Sequence, residues 1–152
     1  MSIAIRYLAE GEAAPMPLLL LADPSEKLVQ QYLKSGHCLV AEENGEIVGV
    51  IVLVEKASAK MEIINVAVAE ACQGKGIGKQ LIKRAIQEAS QLGAKTLEVG
   101  TGNSSIYQLL LYQKCGFRIT EVEKDFFIKH YDEPIIENGI PCVDMIRLSM
   151  NL

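Results

Sequence analysis

The chain has 152 residues, of which 49% are hydrophobic and 22% charged, and its formal net charge is -4. That size and apolar content suffice for a core, which argues against disorder, and the absence of a basic excess argues against nucleic acid as a partner. A mildly acidic surface tolerates cationic substrates such as amines, and serves plain solubility equally well. The four cysteines, Cys38, Cys72, Cys115 and Cys142, lack metal-ligand spacing and read as reduced thiols of a cytoplasmic protein. The N-terminus has no basic stretch followed by a long apolar one, so no secretory leader is expected. The apolar run 16–22 is too short for a bilayer, so no membrane partner is expected either.

In chain order, residues 2–8 alternate and are β-branched enough for a first strand. Pro15 and Pro17 mark a helix start that continues through Ala22. Asp23-Pro24-Ser25 breaks this helix and caps a second, in which Leu28, Val29, Tyr32 and Leu33 recur at helical spacing before Gly36. Residues 37–41 and 47–54 are β-rich runs around Asn44-Gly45, a type I′ turn signal, and residues 61–68 make a further antiparallel strand. The longest helix begins near Gly76. Ile77, Leu81, Ile82, Ala85, Ile86, Ala89 and Leu92 form its apolar face; Lys79, Lys83, Arg84, Gln87, Glu88 and Gln91 lie opposite, and Gly93 closes it. Residues 95–101 are then a strand reached by a crossover, which predicts parallel pairing with 61–68. A helix over 104–114 stops at Gly116, and strands at 117–121 and 143–150 flank an irregular stretch, 125–141. Without repeats or a linker, the pattern predicts one α/β domain over residues 1–152, built on a mixed sheet.

The segment from Val66 to Lys79 carries the most chemistry. A buried strand passes through a short loop into an amphipathic helix, and glycines at 74, 76 and 78 remove side chains where a ligand would approach. Free N–H groups and the helix dipole then make a site for phosphate or pyrophosphate. A Rossmann fingerprint would need glycine where Lys79 stands. A Walker A loop would need glycine at Gln73, and Ser or Thr at Gln80. The pattern is instead Q-x-x-G-x-G, from Gln73 to Gly78. Taken alone, such a loop also suits close packing of a helix on a sheet.

That pattern resembles the [QR]-x-x-G-x-[GA] signature of the GNAT superfamily of N-acetyltransferases, which follows the fourth strand and opens the third helix of that fold. The resemblance spans about residues 2–120 in element order and 62–117 in motif. It implies a mixed, mostly antiparallel sheet of about seven strands flanked by about four helices, and acetyl-CoA as co-substrate. It further implies that the backbone of Gln73, Gly74, Lys75, Gly76, Ile77, Gly78 and Lys79 binds the CoA pyrophosphate. The main chain of Val66, Ala67 and Val68 would pair with the pantetheine arm.

Acetyl transfer to an amine needs a base, a polarised carbonyl and a donor for the leaving thiolate. Leu111-Tyr112-Gln113-Lys114-Cys115-Gly116-Phe117 resembles the family's L-Y-x-x-x-G-F segment, which makes Tyr112 the candidate acid; packing beside Leu109 and Phe117 is the alternative role. Glu62 stands where the histone-acetyltransferase branch has its catalytic glutamate. A carboxylate between Met61 and Ile63 would have a raised pKa, unless it faces solvent or a water chain replaces it. Asn103 follows the fifth strand, where the family often touches pantetheine, although the spacing to Tyr112 is longer than the family's. Asn103, Ser104 and Ser105 are also good N-caps. His37 and His130 are too separated to make a metal site. The resemblance sets the connection between the last two strands beside the acceptor. His130, Tyr131, Asp132 and Glu133 are therefore candidate substrate contacts, and Asp125 and Glu137 add acidic charge to that stretch. The acceptor would be a small-molecule, protein or peptide amine, and such proteins often dimerise. A CoA-binding regulatory module without turnover is the alternative.

Overall fold

A computed structural model describes residues 2–152. The N-terminal half runs β1 (Ala4–Tyr7), α1 (Met16–Ala22), α2 (Glu26–Leu33), β2 (His37–Glu43), β3 (Glu46–Ala57) and β4 (Lys60–Val68). A 3₁₀ turn, Glu70–Cys72, leads to α3 (Ile77–Gln91), β5 (Thr96–Gly102), α4 (Ile106–Lys114) and β6 (Arg118–Glu123). α5 (Phe126–His130), the short strands β7 (Ile136–Glu137) and β8 (Ile140–Pro141), and β9 (Met145–Asn151) complete the chain. Seven strands form one sheet in the order β1-β2-β3-β4-β5-β9-β6, and only β4 and β5 pair in parallel. This is the mixed, mostly antiparallel sheet that the sequence predicts.

Local chemistry accounts for the elements. Asn44 and Gly45 both adopt left-handed backbone, φ 52° and 81°, which suits the tight β2–β3 turn. The Ser25 side chain accepts a hydrogen bond from the Leu28 N–H and so caps α2. α3 buries Ile77, Leu81, Ile82, Ala85 and Ala89 against one sheet face, where Leu39, Ile51, Ile63 and Leu97 meet them. α1 and α2 cover the other face of β2–β4 through Leu18, Leu19 and Val29 on Val40, Val50, Val52 and Ala67.

Residues 125–141 depart from the expected irregular stretch. Phe126, Phe127, His130 and Tyr131 stack as α5 forms, with Phe126 and Phe127 centroids 5.2 Å apart. Asn138 and Gly139, with φ of 55° and 72°, close the β7–β8 hairpin. Strands of two residues carry no readable alternation, which is why periodicity misses them. β6 begins one residue later than expected because Phe117 turns into the core, its ring 6.1 Å from that of Tyr112.

The feature that shapes the site is a fork in the sheet. β4 and β5 pair only from Lys60↔Thr96 to Ile63↔Val99. Beyond that point β4 stays with β3, through Gly49↔Val68, while β5 stays with β9, through Gly102↔Met145. A bulge at the fork inserts Ile64 into β4, because Val52 faces Asn65 while Leu53 faces Ile63. Asn65 therefore shows its side chain to the α1–α2 face, while Val66 keeps to the α3 face.

Leu81 is fully buried between α3 and the sheet. Leu81→Ala should lower the unfolding free energy by about 2–5 kcal/mol, read from the urea midpoint at unchanged m-value.

Candidate active site

The glycine loop ends at a helix start that the protein itself leaves unsatisfied. Gly76 is the N-cap of α3 with φ 83°, no side chain caps it, and no acidic residue stands in the first turn. Gly74 is also left-handed, at φ 80°. Alternation of left- and right-handed residues turns successive N–H groups to one side and makes an anion-binding concavity. A Cβ on Gly74 or Gly76 would meet nothing within 4 Å, so the space beside both is open. Gly78 differs: its Cβ would make ordinary contacts, 3.4 Å from Leu111 and 3.8 Å from Val68, so the space beside it is already lined by α4 and β4. Gln73, Gly74, Lys75, Gly76 and Lys79 are exposed, whereas Ile77 is buried and anchors the helix. The Gln73 side chain donates to the Val68 carbonyl at 3.0 Å and ties the loop to the end of β4.

On the fork side of β4, the edge from Asn65 to Val68 pairs with no strand. Val66, Ala67 and Val68 thus face a cleft whose other bank is β5 and α4. From α4, Tyr112 enters this region with its ring buried against Phe117. Burial pushes the Tyr112 hydroxyl well above the usual phenol range, with the nearby Cys115 thiol adding to it, so the group remains protonated at neutral pH.

Glu62 lies on the sheet face opposite α3 and is 9% exposed. Burial pushes its carboxyl pKa up, against the pull of the Lys56 and Arg147 charges. Arg147 approaches it at 3.4 Å and reaches Glu123 at 2.7 Å, with its guanidinium carbon 5.6 Å from the centroid of the Phe126 ring. Burial works against the Arg147 charge, but the hydrogen bond to Glu123 and the charges of Glu62, Glu123 and Glu98 outweigh it and raise its pKa. Gly100 makes this reach possible. It faces Arg147 in the β5–β9 register, and a Cβ there would stand 2.6 Å from the Met145 sulfur and 3.4 Å from an Arg147 nitrogen.

The late segment packs onto this face. Tyr131 donates to Asp23 Oδ1 at 2.9 Å and joins α5 to the α1–α2 junction. His130 is exposed with its ring 4.4 Å from that of Phe126, and Asp132 and Glu133 are exposed beyond it. Glu137 is held differently, accepting from Ser105 Oγ at 2.6 Å. Ser105 is the N-cap residue of α4; its side chain makes no capping bond, and its hydroxyl donates to Glu137. Asn103 is also engaged within the fold. Its Oδ1 accepts from the Val143 and Asp144 N–H groups at 2.9 and 3.0 Å, and its Nδ2 donates to the Pro141 carbonyl at 3.1 Å. It ties the end of β5 to the segment entering β9.

Several residues at the site were not singled out as site residues from sequence. Asp23 reads there as a helix breaker and Tyr32 as a core residue of α2; Asn65 and Arg147 lie inside strands. Each has a partner between 33 and 108 residues away, a separation that no local spacing reveals. The one available signal was polarity at Asn65 within the apolar run 61–68. Among the described residues no His, Cys, Asp and Glu group is placed to hold a metal ion, and no helix is long and apolar enough to cross a membrane.

A split sheet whose open β4 edge leads into a left-handed glycine loop at a helix N-terminus is the frame of a GNAT-type acyltransferase. The acetyltransferase (GNAT) family model matches residues 7–117. The Bacillus subtilis protein described as an uncharacterized N-acetyltransferase, YvbK, is 56% identical over 135 residues, covering 89% of this chain and 87% of that one. An IAA acetyltransferase from Bacillus cereus superposes with a TM-score of 0.96 at 54% identity, over 99% of this chain and 100% of that one. A GNAT family acetyltransferase from Elizabethkingia anophelis, solved with acetyl-CoA bound, superposes with a TM-score of 0.96 at 52% identity, over 99% and 98%. The chain belongs to the GNAT family of acetyltransferases.

Glu62 gives this site a stability signature. A carboxyl whose folded pKa is raised binds its proton more tightly when folded. Its stabilising contribution is full below the ordinary value of 4.5 and is lost as pH rises through the raised one. Urea midpoints from pH 4 to 8 should therefore fall relative to Glu62→Gln as pH rises; parallel curves would mean that Glu62 titrates normally.

Proposed function

We propose that this protein transfers the acetyl group of acetyl-CoA to a primary amine by direct attack, with donor and acceptor bound together. The observation that carries the reading is the fork. The unpaired β4 edge leads into the glycine loop at the start of α3, while Glu62 and the Asp23–Tyr131 pair lie toward the opposite face. Two substrates can thus meet there without exchanging places.

Acetyl-CoA supplies the reactive thioester, and this chain's residues do the rest. The backbone N–H groups of Gln73 to Lys79, with the α3 dipole, hold the pyrophosphate, and the open geometry at Gly74 and Gly76 fits that role. Val66, Ala67 and Val68 offer main-chain groups to an extended arm, as a sheet edge does to an added strand. Asn103 keeps one Nδ2 hydrogen after its bonds to the segment entering β9 and can offer it to the pantetheine arm. Glu62, made a stronger base by burial, accepts as its carboxylate the proton that the amine sheds, and Arg147 holds that carboxylate in place. Tyr112 donates a hydrogen bond to the departing sulfur. With its pKa above the usual phenol range and a thiol near 8.5, complete transfer to the thiolate is uphill. Its help is to stabilise developing charge. His130, Tyr131, Asp132 and Glu133 border the amine, with the acids favouring a cation.

The decisive experiment is thiol release from acetyl-CoA across a panel of primary amines. Binding of acetyl-CoA with no release for any amine would favour a CoA-responsive regulatory module. Gly76→Ala should weaken acetyl-CoA binding about tenfold, because forcing an L residue to keep φ 83° costs about 1–2 kcal/mol. Calorimetry showing wild-type affinity would remove the loop from the donor site. Tyr112→Phe keeps the ring and its packing. It should lower kcat by roughly 10²-fold with little change in acetyl-CoA affinity. A folded variant with wild-type kcat, chemistry being rate-limiting, would leave Tyr112 a purely structural role.

A further inference from the structure

A buried polar cluster occupies the α1–α2 face at the fork, and its hydrogen bonding does not close. Asn65, 3% exposed, donates both Nδ2 hydrogens, to the Leu19 carbonyl at 3.0 Å and to the Tyr32 hydroxyl at 2.8 Å. Turning the amide over would set oxygen against the Leu19 carbonyl oxygen, so the donor side is fixed. Tyr32 passes its own proton to Asp23 Oδ2 at 3.2 Å. Asp23 Oδ1 receives Tyr131 at 2.9 Å and the Ser25 N–H at 3.1 Å.

Every donor of the cluster is now spent. Asn65 Oδ1 is left buried with no partner. Asp23, 9% exposed, forms no ion pair with any lysine or arginine among the described residues. The cluster therefore has an acceptor to spare, a formal negative charge and no donor left, which is the complement of a group with several N–H bonds and a positive charge. Asn65 also stands two residues past Ile63, the last β4 residue that pairs with β5, so the orphan oxygen belongs to the fork itself.

Building on the amine-acetylation reading, we propose that this cluster is the recognition site for the acceptor's ammonium group, in which Asn65 Oδ1 takes one N–H and Asp23, framed by the Tyr32 and Tyr131 hydroxyls, supplies the counter-charge. The site discriminates by donor number. A primary ammonium can satisfy Asn65 and still face Asp23, whereas a tertiary ammonium has one N–H and must leave one of them unmet. Asn65 is in this respect a specificity-determining residue, separate from proton transfer at Glu62.

The test uses the full chain saturated with CoA and measures affinity for propylamine, 1,3-diaminopropane, glycinamide and N,N-dimethylpropylamine by calorimetry, alongside amine KM in the thiol-release assay. Wild type should bind at least one primary amine about tenfold more tightly than the tertiary one, about 1.4 kcal/mol. Asn65→Leu should abolish that preference and raise the primary-amine KM about tenfold, with acetyl-CoA affinity within about twofold of wild type. Should Asn65→Leu not fold, Tyr131→Phe removes one half-buried hydroxyl and should raise the same KM. An unchanged amine affinity in a folded Asn65→Leu protein, or in Tyr131→Phe where the former fails, overturns the proposal and leaves a water as the partner of Oδ1. So does a wild-type protein that binds none of these amines. Amine binding that depends on Asn65 without any thiol release would uphold the pocket and sink the acetyl-transfer reading instead, so the two failures are distinguishable.

Discussion

The parallel pairing of β4 with β5 lasts four residues and then stops, and the arrangement of the neighbouring elements depends on that break. Interrupting a ladder in the middle of a sheet is costly, because main-chain N–H and C=O groups lose their partners away from bulk water. Two devices hold the halves apart. The bulge at Ile64 keeps the end of β4 in register with β3. The long antiparallel β5–β9 pairing, from Thr96↔Asn151 to Gly102↔Met145, carries β5 the other way. The result is a strand edge held open inside the fold, with the Gln73 side chain donating to the Val68 carbonyl at its end.

The same break explains the division of labour between the two faces. On the α3 side the core is apolar, and the buried Ile77 seats the first turn of the helix on it. On the opposite face the bulge turns Asn65 inward, and Glu62, Asp23, Tyr32, Tyr131 and Arg147 are polar groups drawn from five different elements or junctions.

What was legible in the sequence follows from how local each feature is. The β4–loop–α3–β5 unit could be read because its signals act within a few residues: an apolar strand, glycines with positive φ, a helical stripe and a closing Gly93 with φ 92°. The motif around Tyr112 was legible for the same reason. The fork was not, since parallel pairing is predicted by the crossover but its extent is decided by β9, fifty residues further on. Asn103 shows the limit from the other side. Its bonds to the Pro141 carbonyl and to the Val143 and Asp144 N–H groups, 38 to 41 residues on, had no local signal. Tyr131, by contrast, was noted for its segment and turns out to bridge to Asp23, a residue noted only for breaking a helix.

The glycines of β5 illustrate the trade this architecture makes. Gly100 and Gly102 weaken an interior strand, which loses side-chain packing and restricts more backbone freedom on folding. Both positions are crossed by the late segment: Met145 and Arg147 lie over Gly100, and Cys142 and Phe127 lie over Gly102. A side chain at 100 would push Arg147 away from Glu62, and one at 102 would lift α5, with Phe127 and the neighbouring Tyr131, off the cleft. Breaking one half of a buried ion pair leaves the other charge uncompensated, which costs far more than the missing packing of one glycine. The strand that cannot follow β4 past the fork thus also yields its surface to the residues that equip the cleft, and the stability it forgoes is recovered from the β9 pairing along its whole length.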